Sequence, residues 1–391
     1  MNDGIGGAGA AEQRLSIDAG GRTEFGAGLV TAIPEFVAQA GDQRALVVTD
    51  AGLLAVGIVD RVTAALTRAG MEHLVHADIG ANPSTDEVDR GAEVARSFGR
   101  AAVVAVGGGS PLDAAKAISL LAGNPGATAA GIGGEADPAA GWPLIAVPTT
   151  SGTGAETNGF GVIEDACARR KVYIGHSSVR PRVAVLDPEL TIGLPAHVTA
   201  ATGIDALVHG VESLASRGAN VVSAAYAARA VTVLGHWLPA VHRDGRDLEA
   251  RAQVMLGAHL AGRALTISGL GLVHGIGHAL TAHTGTPHGV ALAAVLDRVL
   301  EFNAPAAAAA FEETARALRV APSDVDWTGA ALAAVREIGG TLGVARPLRA
   351  LGATADLLPR IAESAVADPV TGNNPRAVTV ADVLAILRSV F

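Results

Sequence analysis

Residues 101–116 read AAVVAVGGGSPLDAAK, and the order of residue types in them decides the fold. A short run of Ala and β-branched Val, bounded by turn residues, is a strand signal. Three glycines end it, and an alanine-rich stretch opens a helix directly afterwards. Glycines without a Cβ let backbone amides come close to an anion. Ser110 can cap the helix and Pro111 suits its first position. The exposed amides and the helix dipole would then favour a pyrophosphate. The letters are not the G-x-G-x-x-G fingerprint, and a tight strand-to-helix turn without a ligand is the plainer reading of the same stretch.

Working outward, ALVVT at 45–49, LIAV at 144–147 and VAVL at 183–186 are further short apolar runs. The first two alternate with helical, alanine-rich stretches, the pattern of a parallel sheet with crossover helices. The last ends at Asp187-Pro188, and no comparable series of strands follows. Instead come helical periods at 250–264, 306–318 (entered through Pro305), 330–338 and 381–391. The expectation is an α/β dinucleotide-binding domain with a parallel sheet over 1–187, its first 14 residues disordered, and an all-α domain over 188–391. A length of 391 residues agrees with about two domains of roughly 150 residues each.

Hydrophobic residues make up 49% and charged residues 17%, so the chain can build a sizeable core. A net charge of -9 disfavours nucleic acid or an anionic membrane as the main partner and leaves a small molecule. The single cysteine, Cys167, excludes an intramolecular disulfide framework and reads as a passive thiol. No basic segment followed by an apolar one marks a secretory signal, and no apolar run reads as long enough to span a bilayer. A cytoplasmic enzyme is expected.

Asp50 ends the strand ALVVTD, where its carboxylate could accept from adenosine ribose hydroxyls and repel a 2′-phosphate, favouring NAD over NADP. An ordinary helix cap for the following AGLL explains it equally well. PTTSGTGAE at 148–156 follows another strand with hydroxyls and amides. Two such loops at strand carboxyl ends favour a shared ligand crevice over a mere threonine-rich turn.

In the second half, Asp205 and His209 stand four apart within TAATGIDALVHGVESLAS, so they share a helix face. Alone they would be an ordinary solvated pair. The apolar flanks Ile204, Leu207, Val208 and Val211 bury them, and a buried pair needs a partner such as a metal. GLGLVHGIGHALTAHTGTPHGV then gathers His274, His278, His283 and His288, four of the chain's twelve histidines. His274 and His278 also stand one turn apart, and Pro287 with Gly289 can swing His288 back toward them. Any one of these histidines alone reads as a core or capping residue. Together with Asp205 and His209 they offer one carboxylate and two or three imidazoles, a shell for a first-row metal.

GGGSPLDAAKAI, PTTSGTGAET, ATGIDALVHGVES, GLGLVHGIGHAL and TPHGVALA, in this order, resemble the iron-containing, or group III, alcohol dehydrogenases from about Phe25 to Asn303. The resemblance implies the dehydroquinate synthase-like architecture of that family, with the active site in a cleft between the two domains. It implies Asp205, His209, His274 and His288 as metal ligands and His278 as a catalytic neighbour rather than a ligand, which spacing alone would not separate. It implies Asp50 and Asn82 at the adenosine side, Gly108, Gly109 and Ser110 at the pyrophosphate, and Thr149, Thr150, Thr153 and Lys171 along the cofactor. His283 matches no role, and residues 282–285 lack the aromatic residue that many relatives carry there. A homodimer is implied as well.

The activity so implied is hydride transfer between NAD(H) and a small alcohol or aldehyde, with Fe2+ as Lewis acid; an Asp and three His also suit Zn2+. The alternative is an NAD- and metal-using cyclising lyase of dehydroquinate synthase type. Its polyanionic substrate calls for more basic side chains than the motifs contain.

Overall fold

The structure is a computed structural model that describes residues 20–133, 137–165, 170–320 and 326–391. The expected disorder of residues 1–14 and the thiol of Cys167 lie outside the described residues. The described residues divide into two compact units, one of 20–150 plus 155–192, the other of 151–154 plus 193–391.

The first unit is built on a six-stranded sheet of β1 (Arg22–Phe25), β2 (Arg44–Val48), β3 (Glu72–His76), β4 (Ala102–Gly107), β5 (Leu144–Pro148) and β8 (Val183–Leu186). Its order is β1-β8-β5-β4-β2-β3 and every pairing is parallel. The unbroken apolar runs of β2, β4 and β5 follow from burial on both faces. Leu46, Val48, Val103, Ala105 and Leu144 face α4 (Thr85–Phe98) and α5 (Gly109–Gly123). Ala45, Val47, Val104, Val106 and Ile145 enter the opposite core with α1 (Ile33–Gln39) and α3 (Ile58–Arg68). Each fully buried valine in these strands stabilises the sheet by roughly 1.5 kcal/mol or more. Short helices α2 (Ala51–Ala55) and α6 (Ala129–Ile132) complete the layers, and β6 (Phe160–Asp165) with β7 (Arg170–Gly175) forms a separate antiparallel hairpin.

The sequence reading missed β1, β3 and the hairpin. At the sheet edges, RTEF is mostly exposed and EHLVH alternates exposed and half-buried positions up to a buried His76, so both lack the apolar run that marks the central strands. It also placed Ser110 as the cap of α5. The helix instead begins at Gly109 with Gly108 as N-cap, so Ser110 lies inside the first turn and its hydroxyl donates to the Ala81 carbonyl at 2.5 Å. Pro111 is the third helical residue, where a missing N–H still costs no hydrogen bond. A side chain at Gly107 would put its Cβ 2.5 Å from Pro111 Cγ, which is why the turn needs glycine there.

The described helices of the second unit are α7 (Ala196–Ala215), α8 (Val221–Arg243), α9 (Leu248–Ser268), α10 (Leu272–Thr284), α11 (His288–Asn303), α12 (Ala308–Ala317), α13 (Trp327–Leu342), α14 (Leu358–Ala367) and α15 (Val380–Ser389). They enclose one apolar core. By length and composition α8 could cross a bilayer, contrary to the expectation that no run is long enough, and α9 with α10 pass jointly but bend by 102°. In this fold α8 packs on α7 and α9 and buries Val231, Leu234 and Leu238.

Candidate metal centre and nucleotide loops

In the helical unit, α7 presents Asp205, His209 and Glu212 at i, i+4 and i+7, one stripe of a single helix. All three are buried. Opposite them α10 starts at Leu272 behind Gly271, so His274 sits in its first turn, 1% exposed. α11 starts at His288, directly after Pro287. Its second residue must be glycine, because a Cβ on Gly289 would lie 2.0 Å from the Ala201 carbonyl oxygen of α7. That close approach carries His288 against the stripe.

The donors converge on one carboxylate oxygen. Asp205 Oδ1 lies 3.2 Å from His209 Nε2, 3.4 Å from His274 Nε2 and 3.6 Å from His288 Nε2. Ligand atoms of Asp205, His209 and His274 all fall within 4.8 Å of one another. Asp205 Oδ1 and His274 Nε2 are buried and make no hydrogen bond. Buried polar atoms that go unpaired are costly, and here they face a common point. One carboxylate with three imidazoles is a donor set suited to Fe2+ or Zn2+, so these residues fit the metal that the motifs imply.

Electrostatics differ among the three imidazoles. Burial raises the Asp205 carboxyl, but His209 and His274 outweigh it and hold it well below the usual carboxylate range. Burial pulls His209 down to about 4 against the pull of Asp205, and it likewise depresses His288. Neutral imidazoles are what a metal requires. For His274 burial is overcome by Glu212 and Asp205, which push it up to about 9.

His278 lies one turn beyond His274 on α10. Its Nδ1 is 2.8 Å from Asp368 Oδ2, and its ring stacks on His288 with centroids 5.4 Å apart. Its side chain is 19% exposed against 1% for His274, so it stands at the rim of the cluster. His283 points elsewhere and meets Ser364 Oγ at 2.9 Å. Glu212 and Asp368 escaped the sequence reading. Glu212 could have been found as the next residue of the Asp205/His209 stripe, whereas nothing in the spacing marks Asp368.

In the sheet unit, chain order reverses between β2 and β4, the kind of place where open α/β sheets bind ligands. Asp50 emerges from β2 there and caps α2, accepting from Leu53 N at 3.0 Å. Gly108 and Gly109 emerge from β4, whose last residue Gly107 pairs with Pro148 of β5. Thr149 is buried and its amide donates to the Gly107 carbonyl at 2.9 Å, which sets Thr150 beside Gly108. Thr153 belongs to the segment 151–154, which groups with the helical unit. Asn82 and Lys171 meet each other, Nζ to Oδ1 at 3.4 Å, with Glu164 on the other side of the ammonium at 3.5 Å.

The motif also hides a buried cation. Lys116 is fully enclosed and donates to Asp113 at 3.2 Å, Asn158 at 2.9 Å and the Phe160 carbonyl at 2.7 Å. Asp113 in turn accepts from Val162 N at 3.1 Å. Burial lowers the Lys116 ammonium and raises the Asp113 carboxyl, while each offsets part of the shift in the other. The pair fastens α5 to β6.

A parallel sheet with a glycine-rich turn at its switch point, and helices holding an Asp/His cluster, define a metal-dependent enzyme of the dehydrogenase type. The model for iron-containing alcohol dehydrogenases matches residues 21–188, and that for the C-terminal region of the same family matches 199–391. The chain therefore belongs to the iron-containing alcohol dehydrogenase family. It is 36% identical to the probable alcohol dehydrogenase EutG of Escherichia coli K12, over 93% of this chain and 91% of that protein. It is 32% identical to the NAD-dependent methanol dehydrogenase of Bacillus methanolicus, over 93% and 97% respectively. Among solved structures, a 1,3-propanediol oxidoreductase superimposes with a TM-score of 0.92 at 33% identity, covering 97% of this chain and all of that one.

Proposed function

We propose that this chain is an NAD-dependent alcohol dehydrogenase or aldehyde reductase acting on a small uncharged substrate, with a divalent metal, Fe2+ before Zn2+, held by Asp205, His209, His274 and His288. The observation that carries the reading is the convergence of three imidazole nitrogens on the buried Asp205 Oδ1. When bound there, the metal supplies Lewis acidity toward the oxygen of an alcohol or carbonyl. The three histidines and Asp205 fix the place at which that oxygen is held. His278, at the exposed rim and oriented by Asp368, moves the proton between this place and solvent.

Residues 1–187 serve as the NAD-binding domain and 188–391 as the metal-binding one. Gly108, Gly109 and Ser110 hold the pyrophosphate, Asp50 and Asn82 the adenosine side, and Thr149, Thr150, Thr153 and Lys171 the rest of the cofactor. The protein works as a cytoplasmic homodimer. The direct test is NADH oxidation with short aldehydes by protein purified without air, stripped and reloaded with Fe2+ or Zn2+. Turnover restored by Fe2+ is expected; restoration by Zn2+ alone would overturn the iron assignment, and no turnover with either ion would overturn the activity.

The cofactor preference has its own test. Asp50→Asn keeps an acceptor for Leu53 N and so keeps the cap of α2, but it removes the charge that repels a 2′-phosphate. The ratio of kcat/KM for NADPH over NADH should rise by about tenfold or more, equivalent to about 1.4 kcal/mol. An unchanged ratio would leave Asp50 as a cap alone.

A further inference from the structure

Glu212 is a buried carboxylate that lies within the stretch ATGIDALVHGVES but has no place in the ligand set. It lies on α7 one turn after His209, 4% exposed, and among the described residues no lysine or arginine forms an ion pair with it. Both of its oxygens are committed to α10. Oε1 accepts from the backbone N–H of Val273 at 2.7 Å, and Oε2 faces His274 Nδ1 at 2.5 Å. An ionised carboxylate can only accept, so the ring proton of His274 belongs at Nδ1. In the neutral ring that a metal requires, the opposite nitrogen, Nε2, is the lone-pair side, and it is the buried atom without a hydrogen bond that lies 3.4 Å from Asp205 Oδ1.

We propose that Glu212 is the positioning residue of the metal centre, setting the tautomer and the ring plane of His274 so that Nε2 is presented as a ligand. The inference rests on the metal-centre reading given above. One helix face thereby does two jobs, offering Asp205 and His209 directly and orienting His274 through Glu212. A carboxylate behind a ligating histidine also makes the imidazole more basic, and loss of such a partner typically weakens metal binding by about 10–100-fold. The plainer role for Glu212 is to anchor the first turn of α10 through Val273.

Glu212→Gln separates the two roles. The amide oxygen can still accept from Val273 N–H, while the NH2 group turned toward His274 donates, which reverses the hydrogen bond at Nδ1 and puts the ring proton on Nε2. Dissociation constants for Fe2+ and Zn2+ would be measured by chelator competition on the full chain, with thermal melting of the metal-free form alongside. The expected result is an affinity about 10–100-fold weaker in Glu212→Gln, with metal-free melting within a few degrees of wild type. Equal affinity in variant and wild type would reduce Glu212 to an anchor, whereas a wild-type chain that holds neither ion would overturn the metal reading itself. 15N NMR of histidine-labelled, zinc-loaded wild type reads the tautomer without any substitution. Metal at Nε2 and a proton at Nδ1 of His274 are expected, and coordination through Nδ1 would overturn the proposal even if the variant failed to fold.

Discussion

Asp205→Asn is expected to lower kcat/KM by about 10³-fold or more, equivalent to about 4 kcal/mol of transition-state stabilisation, and to strip the protein of metal. Asparagine matches the size of aspartate, so the helix and its packing stay as they are and the charge alone is removed. Its effect is large because three imidazole nitrogens meet at one oxygen of this side chain, at 3.2, 3.4 and 3.6 Å. The histidines bring no negative charge, and Glu212 spends its own on Val273 N and His274. Metal content per chain and the rate of NADH oxidation, measured on the same preparation, check the expectation. A variant that kept both would remove Asp205 from the ligand set. One that kept its metal but lost its rate would move the residue's contribution from binding to substrate orientation.

How much of this was legible in the sequence follows from where each signal resides. The central strands could be read because burial on both sheet faces forces continuous Val, Ala, Leu and Ile, and that composition is visible without coordinates. RTEF and EHLVH at the sheet edges could not, since a half-exposed strand tolerates charge and leaves no run. The start of α5 was misplaced by two residues because three successive glycines carry no side chain to mark a cap. Chain reversal at Pro287 was legible, and the structure adds why it works, the contact of Gly289 with α7.

The metal cluster shows the same division. His274 and His288 lie in a short span that gathers four of the chain's twelve histidines, and Asp205 with His209 shows as an i, i+4 pair between apolar residues, but only the family resemblance separates these four from His278 and His283. Glu212 and Asp368 do not, because their meaning lies in hydrogen bonds that cross 62 and 90 residues of chain. A carboxylate in a helix is common. Only the fold reveals that each of these two stands behind a particular imidazole nitrogen.

That geometry leads to the second large effect, His278→Ala, for which kcat should fall by about 10²-fold while metal content stays near the wild-type value. The two consequences separate because His278 touches the cluster from outside. Its ring stacks on His288 at 5.4 Å and its Nδ1 is taken by Asp368, so deleting it removes no donor from the set around Asp205. It does remove a partly exposed imidazole that Asp368 fixes in direction, and with it the group proposed to exchange a proton with water. KM for an uncharged aldehyde should change less than kcat, since a proton-transfer group contributes mainly in the transition state. Steady-state kinetics with metal analysis of the same samples decide between the outcomes. If His278→Ala lost its metal in step with its rate, His278 would belong to the ligand set, and the division between His274 as ligand and His278 as proton carrier would fail.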